Sequence, residues 1–573
     1  EKRIPAGARA AIAAEALTMA SNSWVVGGDR SASGKPIVAN DPHMAHLLPS
    51  MVYLQHLRAP GLDVIGATVA GVPFVLMGHN GRVAWGTTST VADATDLYIE
   101  RLNPANPDEY ETPEGFRPFA KDEVVIRVRQ GGRQREERRT LRRTIHGPLL
   151  NDMYPGLFPA GSPPVALRWE TGSLAGGILA LGRANRAPDV AALRAELSKI
   201  ATPVASWSAA DVNGRIANFA TGRVPIRRHH LGTFPVPGWR AEYEWAGTIP
   251  ADAMPGGEAD GGRFVHANNL YFPLGCGGDY LQADSAPSYR HDRILALLDA
   301  EPRHTVETMR VVQNDVLLLR AARLTPMLTA DLDGAATTDE ERKALEILRG
   351  WDFVARPESP AAAIFFVTYR EATLSALGDE AEPRVVEYIL ANRYSTAVAD
   401  LWFDDPNHVA WDRRDTPVVE TRREILRAAF VRAVAMLAGK QGKDPAAWQW
   451  GKLHELTIAH AFGAKKAVGK KFNLPRTGVG GGLDSVWKTH FDIANSKEPF
   501  RAIAGPVYRM VVDLADPAHG WWIIDGGVSG WPLSPHYGDQ FALWARGELA
   551  PMPFDWTEIA AAAEATVTLR PPE

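Results

Sequence analysis

The sequence predicts an α+β fold in which two strand-rich segments flank a large helical block. Three observations predict it. From Ser21 to about Glu100, short apolar runs alternate with turn signals such as Pro60-Gly61, Gly71-Val72-Pro73 and His79-Asn80-Gly81. Beyond about residue 290, apolar residues recur at helical spacing. From about Arg509 strands return, with Arg509 to Leu514 and Trp521 to Ile524. The strand-rich core is therefore read as 21–290 and 500–573 and the helical block as about 290–450, inserted into or packed on one shared sheet system.

Taken in order, residues 6–20 are Ala-rich and read as a helix or a flexible spacer. The stretch Ser21 to Gly28 is an apolar strand that returns through Ser33-Gly34-Lys35 into Ile37 to His43. Val124 to Arg129 and Thr140 to Ile145 form a hairpin around Gly131-Gly132, with the charge run Arg133 to Arg139 at its solvated tip. Pro188 and Asp189 open a helix carrying Val190, Leu193, Leu197 and Ile200. The strand pair Ala205 to Ser208 and Arg215 to Phe219 turns at Asp211 to Gly214, and Arg227-Arg228-His229-His230 reads as an exposed loop. The later helices are Arg293 to Leu298, Val306 to Leu319, Glu341 to Leu348, Ala361 to Leu377, and Thr421 to Leu437 with Gly439 as C-cap.

Composition excludes several functions. A hydrophobic share of 45% and a charged share of 23% over 573 residues are those of a soluble globular protein. A net charge of −5 from 62 basic and 67 acidic residues offers no basic face for nucleic acid, and no apolar run approaches the ~18 residues of a membrane span. The single cysteine, Cys276, excludes an internal disulfide and a multi-cysteine metal site. A first residue other than Met suggests a processed or partial product. Near-motifs fail on spacing: His454 and His460 are six apart rather than four, Gly478 to Leu483 lacks the last glycine of a dinucleotide fingerprint, and Gly527-Val528-Ser529-Gly530-Trp531 misses the nucleophile elbow.

The Ala20–Ser21 bond reads as one meant to be cut. Cleavage would leave Ser21 with a hydroxyl nucleophile and, on the same residue, a free amine as its base. An α-amino group titrates at about 7.7–8.0, close enough to neutral to serve without much tuning. Two other readings stand beside this one: an ordinary residue entering a strand, and a signal-peptidase site after Thr18-Met19-Ala20, which Arg9 and Glu15 weaken by interrupting the apolar segment.

Read together, Ser21 to Gly27, Asn40-Asp41-Pro42-His43, Gly78 to Thr88, His146-Gly147-Pro148, Asp211 to Gly214, Thr221 to Pro225, His266-Ala267-Asn268-Asn269 and Ser534 to Tyr537 resemble, in order, the catalytic β-chain of the penicillin acylases. These are N-terminal nucleophile (Ntn) hydrolases, and the resemblance runs from Ser21 to about Phe554. It implies a four-layer αββα sandwich over 21–573, and a precursor that cleaves itself before Ser21, with 1–20 as the end of a spacer. It also implies a separate α-chain partner, a small-molecule amide substrate and a periplasmic or extracellular location. The implied activity is hydrolysis of a secondary amide through an acyl-ester, releasing a carboxylic acid and an amine such as a β-lactam nucleus. Alternatives on the same scaffold are an acyl-homoserine lactone or lipopeptide acylase, and an unprocessed, calcium-bound binding protein.

By position, the resemblance makes Ser21 the nucleophile, and the Asn268 side chain and Ser89 backbone N–H the oxyanion donors. His43 stands beside the nucleophile's amine, and Arg290 near the site entrance. A turn residue is the alternative for Asn268 and a structural salt bridge that for Arg290. Met44, Met77 and Trp169 fall near acyl-contacting positions, where methionine offers an adaptable apolar lining. Asp93, the Thr95 carbonyl, Asp96, the Pro225 carbonyl and Asp279 match a structural Ca2+ site of hard oxygen ligands; no organic cofactor is implied.

Overall fold

The computed structural model describes residues 20–154, 156, 158, 159, 161–271, 281, 286–391 and 395–570. The helix or spacer expected over 6–20 lies outside them except for Ala20, which is already strand.

Strand β1 (Ala20–Val26) is buried along its whole length, which is why its sequence shows no polar–apolar alternation. Its two faces enter different cores: Val25 joins one apolar cluster, Trp24 and Val26 another. The next strands are β2 (Ile37–Ala45), β3 (Val52–Ala59), β4 (Leu62–Val69), β5 (Met77–His79) and β6 (Val83–Ser89). After them come β7 (Ala205–Asp211), β8 (Ile216–Thr221), β9 (Gly256–Ala259) and β10 (Arg263–His266), then β11 (Ala504–Pro506), β12 (Tyr508–Asp513), β13 (His519–Ile524) and β14 (Ala550–Pro553).

These strands build two seven-stranded antiparallel sheets. The first runs β10-β1-β2-β12-β13-β14, with β11 also pairing β2, and the second β9-β8-β7-β6-β5-β4-β3. The first and last strand regions thus share one sheet, as expected. A core containing Val25, Val38, Ile65, Met77, Ala84 and Val512 fills the space between the sheets. Helices α1 (Leu174–Ala184) and α2 (Val190–Leu197) cover the outer face of the second sheet. Helices α3 (Tyr289–Ala300) and α4 (Val306–Gln313) cover that of the first, packing Ile294, Leu298, Met309 and Val312 on Trp24, Val26 and Val511. The order helix–sheet–sheet–helix is the αββα sandwich.

Asn40 stitches the sheets together. Its Nδ2 donates to the carbonyls of Asn22 (2.9 Å) on β1 and Thr87 (3.0 Å) on β6, and its Oδ1 accepts from Thr87 N–H. Gly86 makes this approach feasible, because a Cβ there would lie 2.5 Å from the Asn40 Cβ.

The helical block has its own core around α5 (Leu319–Asp331), α6 (Asp339–Arg349), α7 (Pro360–Leu377) and α8 (Arg422–Gln441). Three sequence expectations are corrected. Helix α8 continues through Gly439 and stops at Gly442, whose φ of +93° is the backbone reversal that ends it. The helix expected over 306–319 breaks after Gln313, because the Asn314 side chain bonds Gly547 O and Arg509 while Asp315 pairs with Arg293. The charge run Arg133 to Arg139 lies along an exposed strand, Arg133–Arg143, with only Gly131-Gly132 at the tip. Among the described residues, no helix is long and apolar enough to cross a membrane.

Candidate active site

Ser21 is the second residue of β1, opposite Pro42 on β2. Strand alternation puts Ser21 on the same face as Val25, toward the second sheet, and Asn22 on the face covered by α3. The chain is continuous through the Ala20–Ser21 bond, and the Ser21 hydroxyl donates a short hydrogen bond to the Ala20 carbonyl, the group it would have to attack to cleave that bond. The Ser21 backbone N–H donates to Asn268 Oδ1 at 2.7 Å.

Arg290, on the first turn of α3, gathers the site. Its Nη1 donates to Ser21 O (2.9 Å) and Asn22 Oδ1 (2.7 Å), and its Nη2 to Asn268 Oδ1 (2.9 Å). With the side chain buried, a fixed planar fork binds both the Ser21 backbone and the residue that receives its N–H, a pattern lysine cannot reproduce. Asn268 holds φ at +65°, a left-handed conformation that asparagine tolerates better than most residues. Its Nδ2 donates to Ser89 O at 2.7 Å, and a primary amide retains a second N–H beyond that bond. The Ser89 hydroxyl accepts from Val91 N–H in a turn where Val91 has φ +55°, so Ser89 meets Asn268 through its backbone.

His43 is brought beside Ala20 in the ladder, but its imidazole turns to Asp41, with Nε2 3.0 Å from Oδ1. Burial, reinforced by the charges of Arg290, Lys488 and Arg509, holds the imidazole pKa well below its ordinary 6.5. Burial also raises Asp41 to about 8 against the pull of Arg509 and Arg290. Asp41 therefore keeps its proton in the fold over a pH range where an unfolded aspartate, near 3.8, has lost it. The resulting stability is full below the unfolded value and is lost as pH rises through about 8. Asp41→Asn has no proton to lose, so the fall in its melting temperature between roughly pH 6 and 9 should be shallower than that of the parent protein. Equal slopes would remove Asp41 as the cause.

Met44 and Met77 reach one apolar cluster between the sheets. Trp169 is not with them: it ends the strand Val165–Trp169, half exposed, opposite Thr95. Asp93, Thr95, Asp96 and Pro225 are described; Asp279 lies outside the described residues. Among the described residues, no group of three or more His, Cys, Asp or Glu side chains could hold a metal ion. Arg227, expected in an exposed loop, has its side chain buried and paired with Asp96 at 2.7 Å. The Asp93, Thr95 and Asp96 oxygens do not fit a divalent ion, because the Arg227 guanidinium already engages them.

Sequence reasoning assigned no role to Asn22, Asn40 or Asp41. The available signal was polar residues on strands with both faces covered: Asn22 Nδ2 donates to Val486 O, and each such group must find a partner.

Two antiparallel sheets packed face to face between helices, with Ser21 held by Asn268 and Arg290 on a strand paired along both edges, have the architecture of an Ntn hydrolase. The chain belongs to the penicillin amidase family of amide hydrolases, whose model, described as penicillin amidase, matches residues 3–561. It is 30% identical over 583 residues to the penicillin acylase 2 proenzyme of Pseudomonas sp. (strain SE83), covering 98% of this chain and 70% of that protein. It is 27% identical over 579 residues to the acyl-homoserine lactone acylase QuiP of Pseudomonas aeruginosa, covering 93% of this chain and 67% of the relative. The chain thus spans 67–70% of these two relatives. Among solved structures, a thermostable penicillin G acylase from Alcaligenes faecalis shares the fold with a TM-score of 0.71 at 21% identity, covering 96% of this chain and 100% of that one.

Proposed function

We propose that this chain is the catalytic part of an acylase that matures by cutting its own Ala20–Ser21 bond and then hydrolyses secondary amides with Ser21. The observation that carries this reading is the Ser21 nitrogen held 2.7 Å from Asn268 Oδ1, with Arg290 bound to both residues. In maturation, Ser21 Oγ attacks the Ala20 carbonyl carbon; collapse of the adduct breaks the Ala20–Ser21 C–N bond, which frees the Ser21 amine and leaves an ester on Oγ, and water then hydrolyses that ester to release the Ala20 carboxylate and restore the hydroxyl. In turnover, that amine takes the Oγ proton, directly or through one water, as Oγ attacks the substrate carbonyl. The oxyanion meets the free N–H of Asn268 and the Ser89 backbone N–H. The leaving amine departs with a proton, and water then releases the acid from the acyl-ester. The reading includes an α-chain from the same precursor and a periplasmic or extracellular location. Mass spectrometry of an active preparation should find Ser21 at an N-terminus; any other terminus would sink the proposal.

The acyl group would lie against Met44 and Met77, whose flexible thioethers suit aliphatic as well as aromatic chains. The similarity to QuiP supports the second reading, an acyl-homoserine lactone or lipopeptide acylase, over one restricted to arylacetyl amides. A panel of phenylacetyl and long aliphatic amides separates them. A kcat/KM advantage of about tenfold or more for the aliphatic amides, equivalent to about 1.4 kcal/mol, selects the second reading.

A further inference from the structure

Arg227 lies in a run of four basic or titratable residues, yet its side chain is only 1% exposed, as is Asp96 at 2%. Its Nε donates to Asp96 Oδ2 at 2.7 Å, and its Nη2 donates to the carbonyls of Asp93 (3.0 Å) and Thr95 (3.4 Å) and stands 3.3 Å from Asp93 Oδ1. One side chain thus engages the Asp93 carboxylate, the Thr95 carbonyl and the Asp96 carboxylate, three of the oxygens that a cation bound here would need. The Trp245 indole N–H adds a bond to Asp96 Oδ2. Gly232, at φ +76°, closes the backbone over the pair: a Cβ there would lie 2.5 Å from Asp93 Oδ2, 2.7 Å from Asp96 Oδ1 and 3.0 Å from Arg227 Cζ.

We propose that the Arg227 guanidinium is the resident cation of this site and replaces calcium as the tie between the segments 93–96 and 225–232. A calcium ion takes its oxygens at about 2.3–2.6 Å and needs six to eight of them. Arg227 holds three of these oxygens at 2.7–3.4 Å, carries a permanent charge, and would repel a second cation among them. An exchangeable ion becomes a covalently attached one, so the cross-link between segments some 130 residues apart does not depend on ambient calcium. This inference stands apart from the chemistry proposed for Ser21.

The test uses the protein made from its full-length gene. After dialysis without chelator, elemental analysis should find less than stoichiometric calcium, and the melting temperature should not move in excess EDTA or in millimolar CaCl2, because an ion that binds only the folded state must raise it. Arg227→Gln keeps some hydrogen bonding but removes the charge, leaving Asp96 buried without its cation. It should lower the melting temperature by roughly 5–10 °C. One calcium per chain in the parent protein, a drop in its melting temperature in EDTA, or an Arg227→Gln variant as stable as the parent would each overturn the inference. The first two readings need no variant and hold even if Arg227→Gln fails to fold.

Discussion

Ser21→Ala should leave the precursor as one continuous chain and reduce amide hydrolysis by about 10⁴-fold or more, the scale seen when a nucleophile that works as a unit with its base is removed. The reason is that one substitution removes two groups. The hydroxyl that lies on the Ala20 carbonyl is gone, so the bond to residue 21 is not cut, and the amine that would serve as base is never released. The fold itself should survive. Ser21 lies on a strand whose register is set by the pairs from Ala20↔His43 to Val26↔Ile37, and alanine is smaller than serine. Electrophoresis, intact mass and melting temperature on one preparation therefore separate chemistry from folding. Wild-type-like hydrolysis by an uncut Ser21→Ala chain would end the proposed mechanism. In the matured parent enzyme, kcat/KM should rise with pH over the range in which an α-amine loses its proton, about 7.7–8.0 when unperturbed, because only the free base accepts the hydroxyl proton.

Much of this arrangement was legible in the sequence because its signals are local. Asp189 before Val190 and Thr421 before Arg422 are N-caps and marked both helix starts correctly, Asp189 by accepting from Ala192 N–H and Thr421 through a capping box with Glu424. The hairpin at Gly131-Gly132 followed from two adjacent glycines, both of which take positive φ. The layer order did not follow from pattern: β1 and β7 are buried on both faces, so their alternation is erased, and only resemblance supplied αββα. Site residues on recognisable windows, Ser21, Asn268 and Ser89, converge in space with Arg290. Trp169 does not join Met44 and Met77, because its strand belongs to a separate three-stranded sheet. Arg227 shows why the remainder was hidden. In sequence its neighbours are Arg228, His229 and His230, a solvated-loop composition, whereas its partner Asp96 is 131 positions away. Burial of a charge is decided by that partner and not by its own neighbourhood.

Asn268→Asp is the second large effect expected, and it isolates the side-chain N–H. Asn268 Oδ1 already has two donors, Ser21 N–H and Arg290 Nη2, so an aspartate keeps the acceptor and stays paired with a buried guanidinium. It loses Nδ2, and with it both the bond to Ser89 O and the donor proposed for the oxyanion. Loss of one such preorganised donor costs about 10²–10³ in kcat with little change in KM. Asn268→Ala confounds that loss with backbone strain, since a non-glycine residue at φ +65° pays roughly 1–2 kcal/mol. Asn268→Gly removes the strain while lacking the amide. If the N–H carries the effect, Asp and Gly variants should both be slow although Gly folds without the φ penalty, and the slow step should be acylation. An Asp variant within about threefold of the parent kcat, a difference of under 1 kcal/mol, would mean that the oxyanion is stabilised elsewhere and that Asn268 serves only to hold the Ser21 nitrogen.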